Sequence, residues 1–280
     1  MAQQKRLDRY ILLISKKVRS IIFGLRPSPI KGRFAGPRVL MNSIPKAGTN
    51  LLETCLNRFP LLRNAGYSTL RGWQFIDDVT LKKIRNIKRG QFFSAHLPAH
   101  APLLSLMKNE DIKVLLMIRD PRDIVVSHFK YVTSIDTTHR THKYFASLPD
   151  DDSRLMATIC GVEGLVSPID EVLSKFEEWL DRENVLVVRF EDLIGSQGGG
   201  NNSKQLQVVN SIARHLGIKL DDKHTQEISE NVYSTKTMTF RSGKIGNWRK
   251  FFKDKHINVF KERAGELLVK YGYEKNKEWQ

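Results

Sequence analysis

The segment NSIPKAGTNLL (residues 42–52) stands where a predicted strand gives way to a predicted helix. Residues 39–43 are typical of a short buried strand, and residues 49–59 carry apolar side chains at helical spacing. Pro45 ends the strand, and Gly48 permits the sharp backbone turn that such a junction needs. The segment therefore predicts a strand–loop–helix unit, which is the repeating element of α/β proteins.

The loop of this unit carries residues that favour an anion. Thr49 and Asn50 suit the N-cap position, and the amides of the first helical turn attract negative charge. Lys46 adds its own charge to the same place. The alternative is a plain strand-to-helix turn with a surface lysine. Both interpretations stay open on this segment alone, because short loops with glycine and lysine are common.

The composition fits a large globular core and anionic partners. The chain has 280 residues, 40% of them hydrophobic, and its 46 Lys and Arg against 30 Asp and Glu give a net charge of +16. Such a charge favours nucleotides, sulfated or phosphorylated substrates, nucleic acid or an acidic membrane surface. The two cysteines, Cys55 and Cys160, imply no disulfide framework and favour a reducing compartment.

Further strands and helices alternate along the chain. Strands are predicted at residues 91–95, 113–118 and 185–190, and helices at residues 121–132, 169–180, 203–216 and 254–271. This alternation is typical of a parallel sheet covered on both faces. The sequence therefore predicts an α/β fold, a single domain with a central parallel sheet flanked by helices.

Residues 1–30 are predicted to form a basic amphipathic helix and a linker, followed by one domain over residues 31–280. The apolar run at residues 11–14 is too short for a membrane span or a secretory signal. Residues 5–25 either pack on the protein or a partner, or make peripheral contact with an anionic membrane. The stretch at residues 25–38 contains several Pro and Gly residues and is predicted to be a linker.

Two polar stretches are predicted to be surface loops. Residues 195–204 are rich in Gly, Asn and Ser, and residues 133–153 form a longer segment that could cover a site as a lid. His139 and His142 lie in the longer segment without a carboxylate or cysteine at ligand spacing. They are therefore expected to be solvent-exposed rather than to bind a metal.

Ligands of open parallel sheets bind beyond the carboxyl ends of the strands, so each strand end is a candidate site. His96 follows the strand at residues 91–95, where an imidazole near an anion-binding loop suits a general base. A lone histidine is more often structural. Arg119 follows the strand at residues 113–118, and Ser127 lies about two turns into the next helix.

Arg119 and Ser127 together suit a second anion, since arginine binds phosphate through a fork of donors. The alternative is that Arg119 pairs with a nearby carboxylate and Ser127 is incidental. In the next helix, Asp120 suits the N-cap and Pro121 the first turn. The late stretch FRSGKIGNWRKFF (residues 240–252) contains four cations and two glycines. This composition favours binding of an anion, and the alternative is a basic surface loop.

Taken in order, these segments resemble the sulfotransferases that use 3'-phosphoadenosine 5'-phosphosulfate (PAPS). IPKAGTNLL is similar to the family's 5'-phosphosulfate loop, P-K-[SA]-G-T-[TS], and HLP resembles the segment with the catalytic histidine. RDPRDIVVSHFKY is similar to the 3'-phosphate motif, R-[ND]-x-x-D-x-x-x-S, and RSGKIGNWRKFF resembles the late loop, R-x-G-x-x-G-x-W-[KR]. The four motifs together span roughly residues 39–252.

The resemblance implies a sulfotransferase domain at residues 31–280, with a fold like that of P-loop nucleotide kinases. It implies sulfuryl transfer from PAPS to a hydroxyl or amine, with release of adenosine 3',5'-bisphosphate (PAP). His96 is then the general base, and Lys46 stabilises the leaving group without a metal ion. The implied donor-binding residues are Lys46, Ala47, Gly48, Thr49, Asn50, Leu51, Arg119, Ser127, Phe190, Arg241, Ser242 and Gly243.

Several positions depart from the family pattern. Ala47 replaces a commoner serine, Leu51 a stacking tryptophan, and Ser94 a lysine that many relatives have two residues before the histidine. The HLP-type histidine implies the cytoplasmic branch, with a small-molecule, lipid or saccharide acceptor whose pocket Tyr131 and residues 133–153 help to shape. The dimer motif of many animal members is not recognisable, so the oligomeric state stays open.

Two other classes of protein are alternatives to a sulfotransferase. A P-loop nucleotide kinase or hydrolase needs G-x-x-x-x-G-K-[ST] and a magnesium carboxylate at a strand end, and the sequence has neither. A non-catalytic protein that binds anions or nucleic acid would account for the charge of +16. The sequence lacks a recognisable nucleic-acid-binding motif, so no nucleic-acid partner is expected.

Overall fold

The computed structural model describes residues 27–65, 68–72, 75–233 and 244–280. The helix predicted within residues 5–25, and with it the predicted membrane contact, lies outside these ranges. Arg241, Ser242 and Gly243 lie outside them too. In the described ranges, no helix combines the length and apolar character needed to cross a membrane.

A six-stranded parallel sheet forms the centre of the described chain. Its strands are β1 (Arg38–Ser43), β2 (Arg63–Asn64), β3 (Leu70–Arg71), β4 (Gln91–His96), β5 (Ile112–Ile118) and β6 (Val185–Arg189). The order is β2-β4-β1-β5-β6, and β3 also pairs with β4. Leu40 of β1 lies opposite both Phe93 and Val114, so β1 stands in the middle of the sheet with a neighbour on each side.

Helices follow the strands and pack on the sheet. The α-helices are α1 (Pro27–Ala35), α2 (Thr49–Leu56), α3 (Asp78–Arg85), α4 (Ala101–Asn109), α5 (Pro121–Lys130), α6 (His142–Ser147), α7 (Asp151–Cys160), α8 (Ile169–Glu177), α9 (Phe190–Leu193), α10 (Asn202–Leu216), α11 (Asp222–Glu230) and α12 (Asp254–Lys270). A π-helix spans Tyr131–Ile135, and 3-10 helices span Ser196–Gly198 and Asn247–Lys250. The predicted α/β fold with a central parallel sheet flanked by helices is confirmed.

The core follows the predicted apolar runs. Val39, Leu40 and Met41 of β1 are fully buried, as are most side chains of β5. Ile124 and Val125 of α5 are buried as well. Helix α2 packs on β1, and helices α4 and α10 pack on β5. Burial of both central strands explains why each carries a continuous apolar run, residues 39–41 in β1 and 114–118 in β5, instead of an alternating pattern.

The stretch predicted as a linker at residues 25–38 contains a helix. Pro27 begins α1, where the missing N–H of proline costs no helical hydrogen bond. Gly32 lies against the backbone of Leu61, and a Cβ built on it would stand 2.1 Å from the Leu61 carbonyl oxygen. Close packing therefore explains this glycine. Helix α1 runs across residues 30 and 31, where the sequence predicts a boundary between the N-terminal segment and the domain. That boundary stays a prediction.

The stretch predicted as a loop at residues 133–153 is largely helical. It holds most of the π-helix, α6 and the start of α7, whose first turn is capped by Asp150 through the amide of Ser153. His139 and His142 are half-buried instead of solvent-exposed. The His139 ring bonds the Thr141 hydroxyl, and the His142 ring bonds a backbone carbonyl. The polar composition of this segment predicts a loop, but its polar side chains form hydrogen bonds within the folded segment.

The stretch predicted as a surface loop at residues 195–204 is only partly irregular. A 3-10 turn begins at Ser196, and α10 begins at Asn202. The side chain of Asn201 accepts a hydrogen bond from the amide of Lys204 and so caps α10. The Asn and Ser residues that favour a loop in the sequence serve here to start a helix.

Candidate active site

The loop between β1 and α2 turns on two residues with positive φ. Lys46 has φ 71° and Gly48 has φ 109°. The amide of Ile44 donates to Met117 of β5, and the amide of Ala47 donates back to Ile44, which holds the loop against the end of the sheet. A lysine at positive φ is uncommon, so the backbone conformation that presents Lys46 is specific to this loop.

Gly48 occupies the N-cap position that the sequence assigns to Thr49 or Asn50. That expectation is wrong because the Thr49 hydroxyl is hydrogen-bonded to the Ser43 hydroxyl at 2.8 Å instead of to the helix. A Cβ on Gly48 would stand 2.6 Å from Cδ2 of Phe190. Glycine is therefore needed both for the turn and for the approach of the Phe190 ring.

His96 ends β4 beside the same loop. Its Nδ1 lies 2.8 Å from the carbonyl oxygen of Ser43 and 3.1 Å from the Ser43 hydroxyl. A carbonyl oxygen only accepts, so Nδ1 carries the proton and donates it. The neutral ring then has its lone pair on Nε2, which is the atom that can accept a proton from another molecule.

The surroundings of His96 keep its ring neutral. Burial lowers its pKa to about 4, and the charges of Arg71 and Lys46 add to this effect, while the bond to Ser43 opposes it. The imidazole is therefore unprotonated at neutral pH. This is the protonation state that a general base needs.

Lys46 lies over an aromatic ring that belongs to the π-helix. Its Nζ is 3.4 Å from the centroid of the Tyr131 ring. The Tyr131 hydroxyl donates to Oδ2 of Asp136 at 3.1 Å, which fixes the ring from its other end. Single π-helical turns are frequent at functional sites, and this one sets an aromatic face under the cation.

Two further histidines surround Lys46. The charge of Lys46 lowers the pKa of both His128 and His139, although burial is the larger cause for each. Their rings lie edge to face with 6.3 Å between centroids. His128 carries no signal of its own in the sequence, because it stands next to Ser127 at a position that the 3'-phosphate motif leaves open.

Arg119 is held at the end of β5 by neighbours on several sides. Its Nη2 donates to the carbonyl oxygen of Lys244 at 2.9 Å and lies 3.3 Å from Asp123. Its guanidinium carbon stands 4.2 Å from the centroid of the Phe190 ring. Its Nε is buried and has no hydrogen-bond acceptor among the described residues. A buried donor of this kind suits an anionic oxygen.

Asp123 joins α5 to the late loop. Its two carboxylate oxygens accept hydrogen bonds from the amides of Gly246 and Trp248, at 2.9 and 2.8 Å. Burial raises the pKa of this carboxyl, and the charge of Arg119 opposes the shift. The sequence motif contains this aspartate but does not indicate its role. Through Asp123, the chain after residue 243 starts beside Arg119.

The structure brings several of the predicted residues together. Phe190 packs against Gly48 and Arg119 and so links the Lys46 loop to the end of β5. Asp120 caps α5 through the amide of Arg122, as predicted. Ser127 lies half-buried along the same helix. The other described residues of the predicted donor site are the buried Ala47 and the half-buried Thr49, Asn50 and Leu51.

Comparison with known proteins decides the family. A family model for the sulfotransferase domain matches residues 36–272. The chain belongs to the sulfotransferase family. Human Sulfotransferase 4A1 is 24% identical to it over 249 residues, which cover 82% of this chain and 81% of that relative. The 3-alpha-hydroxysteroid sulfotransferase of Cavia porcellus is 24% identical over 208 residues, 67% of each chain.

A solved structure shows the same fold. The mouse sulfotransferase SULT7A1, crystallised with PAP, aligns with a TM-score of 0.60 at 18% identity and covers 88% of this sulfotransferase and 92% of its own chain. The predicted PAPS-dependent sulfotransferase family is confirmed, and with it the enzyme class and PAPS as co-substrate. Among the described residues, no group of three or more His, Cys, Asp or Glu could hold a metal ion.

Proposed function

We propose that this sulfotransferase moves the sulfuryl group of PAPS to a hydroxyl or amine of a small-molecule acceptor, with His96 as general base. The observation that carries the proposal is the hydrogen bond from Nδ1 of His96 to the Ser43 carbonyl, 2.8 Å long. It leaves Nε2 as the basic atom beside the Lys46 loop. Sulfuryl transfer needs such a base, because the acceptor loses its proton when its bond to sulfur forms.

The donor is bound at its two anionic ends. Lys46 and the amides at the start of α2 receive the 5'-phosphosulfate, and residues 47–51 complete that end. Arg119, whose buried Nε has no acceptor among the described residues, receives the 3'-phosphate with Ser127. Arg241, Ser242 and Gly243 join this second end, which agrees with the position of Lys244 beside Arg119.

Phe190 and Leu51 lie between the two anionic ends and contact the adenosine. The Phe190 side chain is buried, and its ring lies between Gly48 and the guanidinium of Arg119. It therefore also holds the guanidinium of Arg119 in place. Leu51 is half-buried on α2 and offers an apolar surface without the stacking of a tryptophan.

The reaction is an in-line displacement at sulfur. The acceptor oxygen or nitrogen forms a bond to sulfur while the bond from sulfur to the bridging phosphate oxygen breaks. Nε2 of His96 takes the acceptor proton, and the leaving electron pair remains on the phosphate of PAP. Lys46 neutralises the charge that develops on that oxygen, since preorganised charge supplies most of the catalysis in such transfers.

The acceptor is a small molecule, which agrees with the name of one relative, the 3-alpha-hydroxysteroid sulfotransferase of Cavia porcellus. We also propose a cytoplasmic location, which the free thiols of Cys55 and Cys160 support. A peripheral membrane contact through residues 5–25 remains part of the proposal from the sequence. The oligomeric state has no proposal.

The test combines binding with transfer. Calorimetry should detect PAP binding in the absence of magnesium and little response to ATP, and a transfer assay with labelled PAPS and cell extract should give a sulfated product. The His96→Ala variant should lose ~10²–10⁴-fold in rate and keep PAP affinity. His100→Ala is the matched control, since His100 is exposed and makes no cap hydrogen bond. An unchanged rate in His96→Ala would remove this base from the mechanism.

A further inference from the structure

An exposed arginine stands beside the proposed base. The short strand β3 pairs in parallel with β4, and in this register Arg71 lies opposite His96. Paired residues of neighbouring strands share a face of the sheet, and such strands lie ~4.8 Å apart. The guanidinium of Arg71 is therefore carried on the side of the sheet where His96 meets the acceptor.

The electrostatic effects agree with this placement. The charge of Arg71 acts on both His96 and His139, and it lowers the pKa of each ring. The guanidinium of Arg71 thus lies near the rings of both His96 and His139. Arg71 is exposed, and no hydrogen bond or ion pair joins it to another of the described residues. Its donors are available to a bound molecule.

Three cations and one carboxylate act on the His139 ring. Arg140, Arg71 and Lys46 lower its pKa and Asp136 raises it, so this carboxylate offsets only part of the positive charge. Arg140 donates to the carbonyl of Leu165 and adds a further positive charge near His139. A neutral acceptor gains nothing from these charges, whereas an anionic one is attracted and oriented by them.

We propose that the acceptor carries an anionic oxygen group, a carboxylate, sulfate or phosphate, close to the hydroxyl or amine that is sulfated, and that Arg71 binds this group. The guanidinium fork matches such groups with two parallel hydrogen bonds. Arg71 thereby selects the acceptor and turns its nucleophilic atom toward His96. This inference rests on the proposed function, because it concerns the second substrate of the same site.

The first experiment measures acceptor binding without turnover. Calorimetry on the PAP-loaded protein compares 4-hydroxyphenylacetate with its uncharged amide, which has the same shape. The acid should bind about tenfold more tightly, in keeping with a hydrogen bond to a charged group. Equal affinity for acid and amide, or no detectable binding of either, would overturn the inference.

Variants assign the preference to Arg71. Arg71→Gln should reduce the preference for the acid to within about twofold, and Arg71→Lys should keep part of it. Arg89→Gln is the matched control, because Arg89 is an exposed cation just before the opposite end of β4 and its loss changes the net charge equally. A preference that survives in Arg71→Gln, or that falls equally in Arg89→Gln, would contradict the assignment.

A second experiment distinguishes the sources of the anion. Cell extract is labelled with radioactive PAPS and the enzyme, and the products are divided between chloroform and water. A labelled product with at least one anionic group besides the new sulfate supports the inference; in chloroform it is an anionic lipid, and in water a soluble metabolite. A product whose only charge is the new sulfate would overturn it. A protein that fails to bind PAP contradicts the proposed function itself, whereas one that binds PAP without preferring the acid contradicts only this inference.

Discussion

The ammonium of Lys46 lies 3.4 Å from the centroid of the Tyr131 ring. The two residues come from opposite sides of the site, one from the loop after β1 and the other from the π-helix after α5. The hydroxyl of Tyr131 is in turn hydrogen-bonded to Asp136. The position of the cation that is proposed to stabilise the leaving group thus depends on an aromatic face. This face belongs to a segment that the sequence predicts to shape the acceptor pocket.

Removal of that aromatic face should slow transfer. A desolvated cation–π contact is worth ~2 kcal/mol, so Tyr131→Leu should lower kcat about thirtyfold as Lys46 loses its fixed position. Tyr131→Phe keeps the ring and loses the hydroxyl bond to Asp136, and its kcat should stay within about threefold of wild type. Steady-state kinetics with PAPS at saturation would decide this, and equal losses in the two variants would argue against a role of the ring.

The pH dependence of transfer should report the depressed pKa of His96. Burial lowers this pKa to about 4, so the ring stays neutral and able to accept a proton down to that pH. As pH falls through about 4, the ring becomes protonated and the base is lost. The acid limb of kcat/KM should therefore lie near pH 4. An acid limb near 6.5, the value of an unperturbed imidazole, would show that His96 is not the base or is not buried in solution.

Gly48 should not accept a side chain. A Cβ there would stand 2.6 Å from the Phe190 ring, and φ is 109°, so Gly48→Ala adds ~1–3 kcal/mol of overcrowding to ~1–2 kcal/mol of backbone strain. Gly199→Ala is the control, because Gly199 has φ 88° and nothing within 4 Å of its added Cβ. Urea denaturation should show the larger loss of stability in Gly48→Ala. Equal losses of stability in the two variants would mean that the Phe190 ring moves aside without an energetic cost.

Much of the fold could be predicted because the central strands are buried on both faces. The apolar runs at β1, β4, β5 and β6 are marked in the sequence, and the predicted strands match the observed ones to within a residue. Strands β2 and β3 were missed, since a strand of two residues has no period to detect. The placement of Arg71 opposite His96 depends on β3 and therefore could not be found from sequence.

The site could be predicted in its parts but not in its connections. The motif residues Lys46, His96 and Arg119 end three adjacent strands, and the rule for parallel sheets brings them to one edge. Contacts that cross between elements carry no local signal. The ring of Tyr131 under Lys46 and the carboxylate of Asp123 on the late loop are of this kind.

Asp123 should be among the least replaceable residues of the site. Its buried carboxylate accepts the amides of Gly246 and Trp248 and lies 3.3 Å from Arg119. Asp123→Asn leaves one oxygen in place of two and removes the partner charge of Arg119, so the free energy of unfolding should fall by ~3–5 kcal/mol. PAP affinity should fall as well, because the loop after residue 243 loses its anchor beside Arg119.

The matched control for Asp123→Asn is Asp170→Asn. Asp170 pairs with Arg263 at 3.4 Å on the surface, and such exposed pairs contribute only ~0–1 kcal/mol. Urea denaturation measures stability, and calorimetry at a temperature where both variants are folded measures PAP affinity. If Asp123→Asn is no less stable than Asp170→Asn and binds PAP like wild type, the carboxylate does not hold the late loop, and the proposed approach of residues 241–243 to the 3'-phosphate loses its structural support.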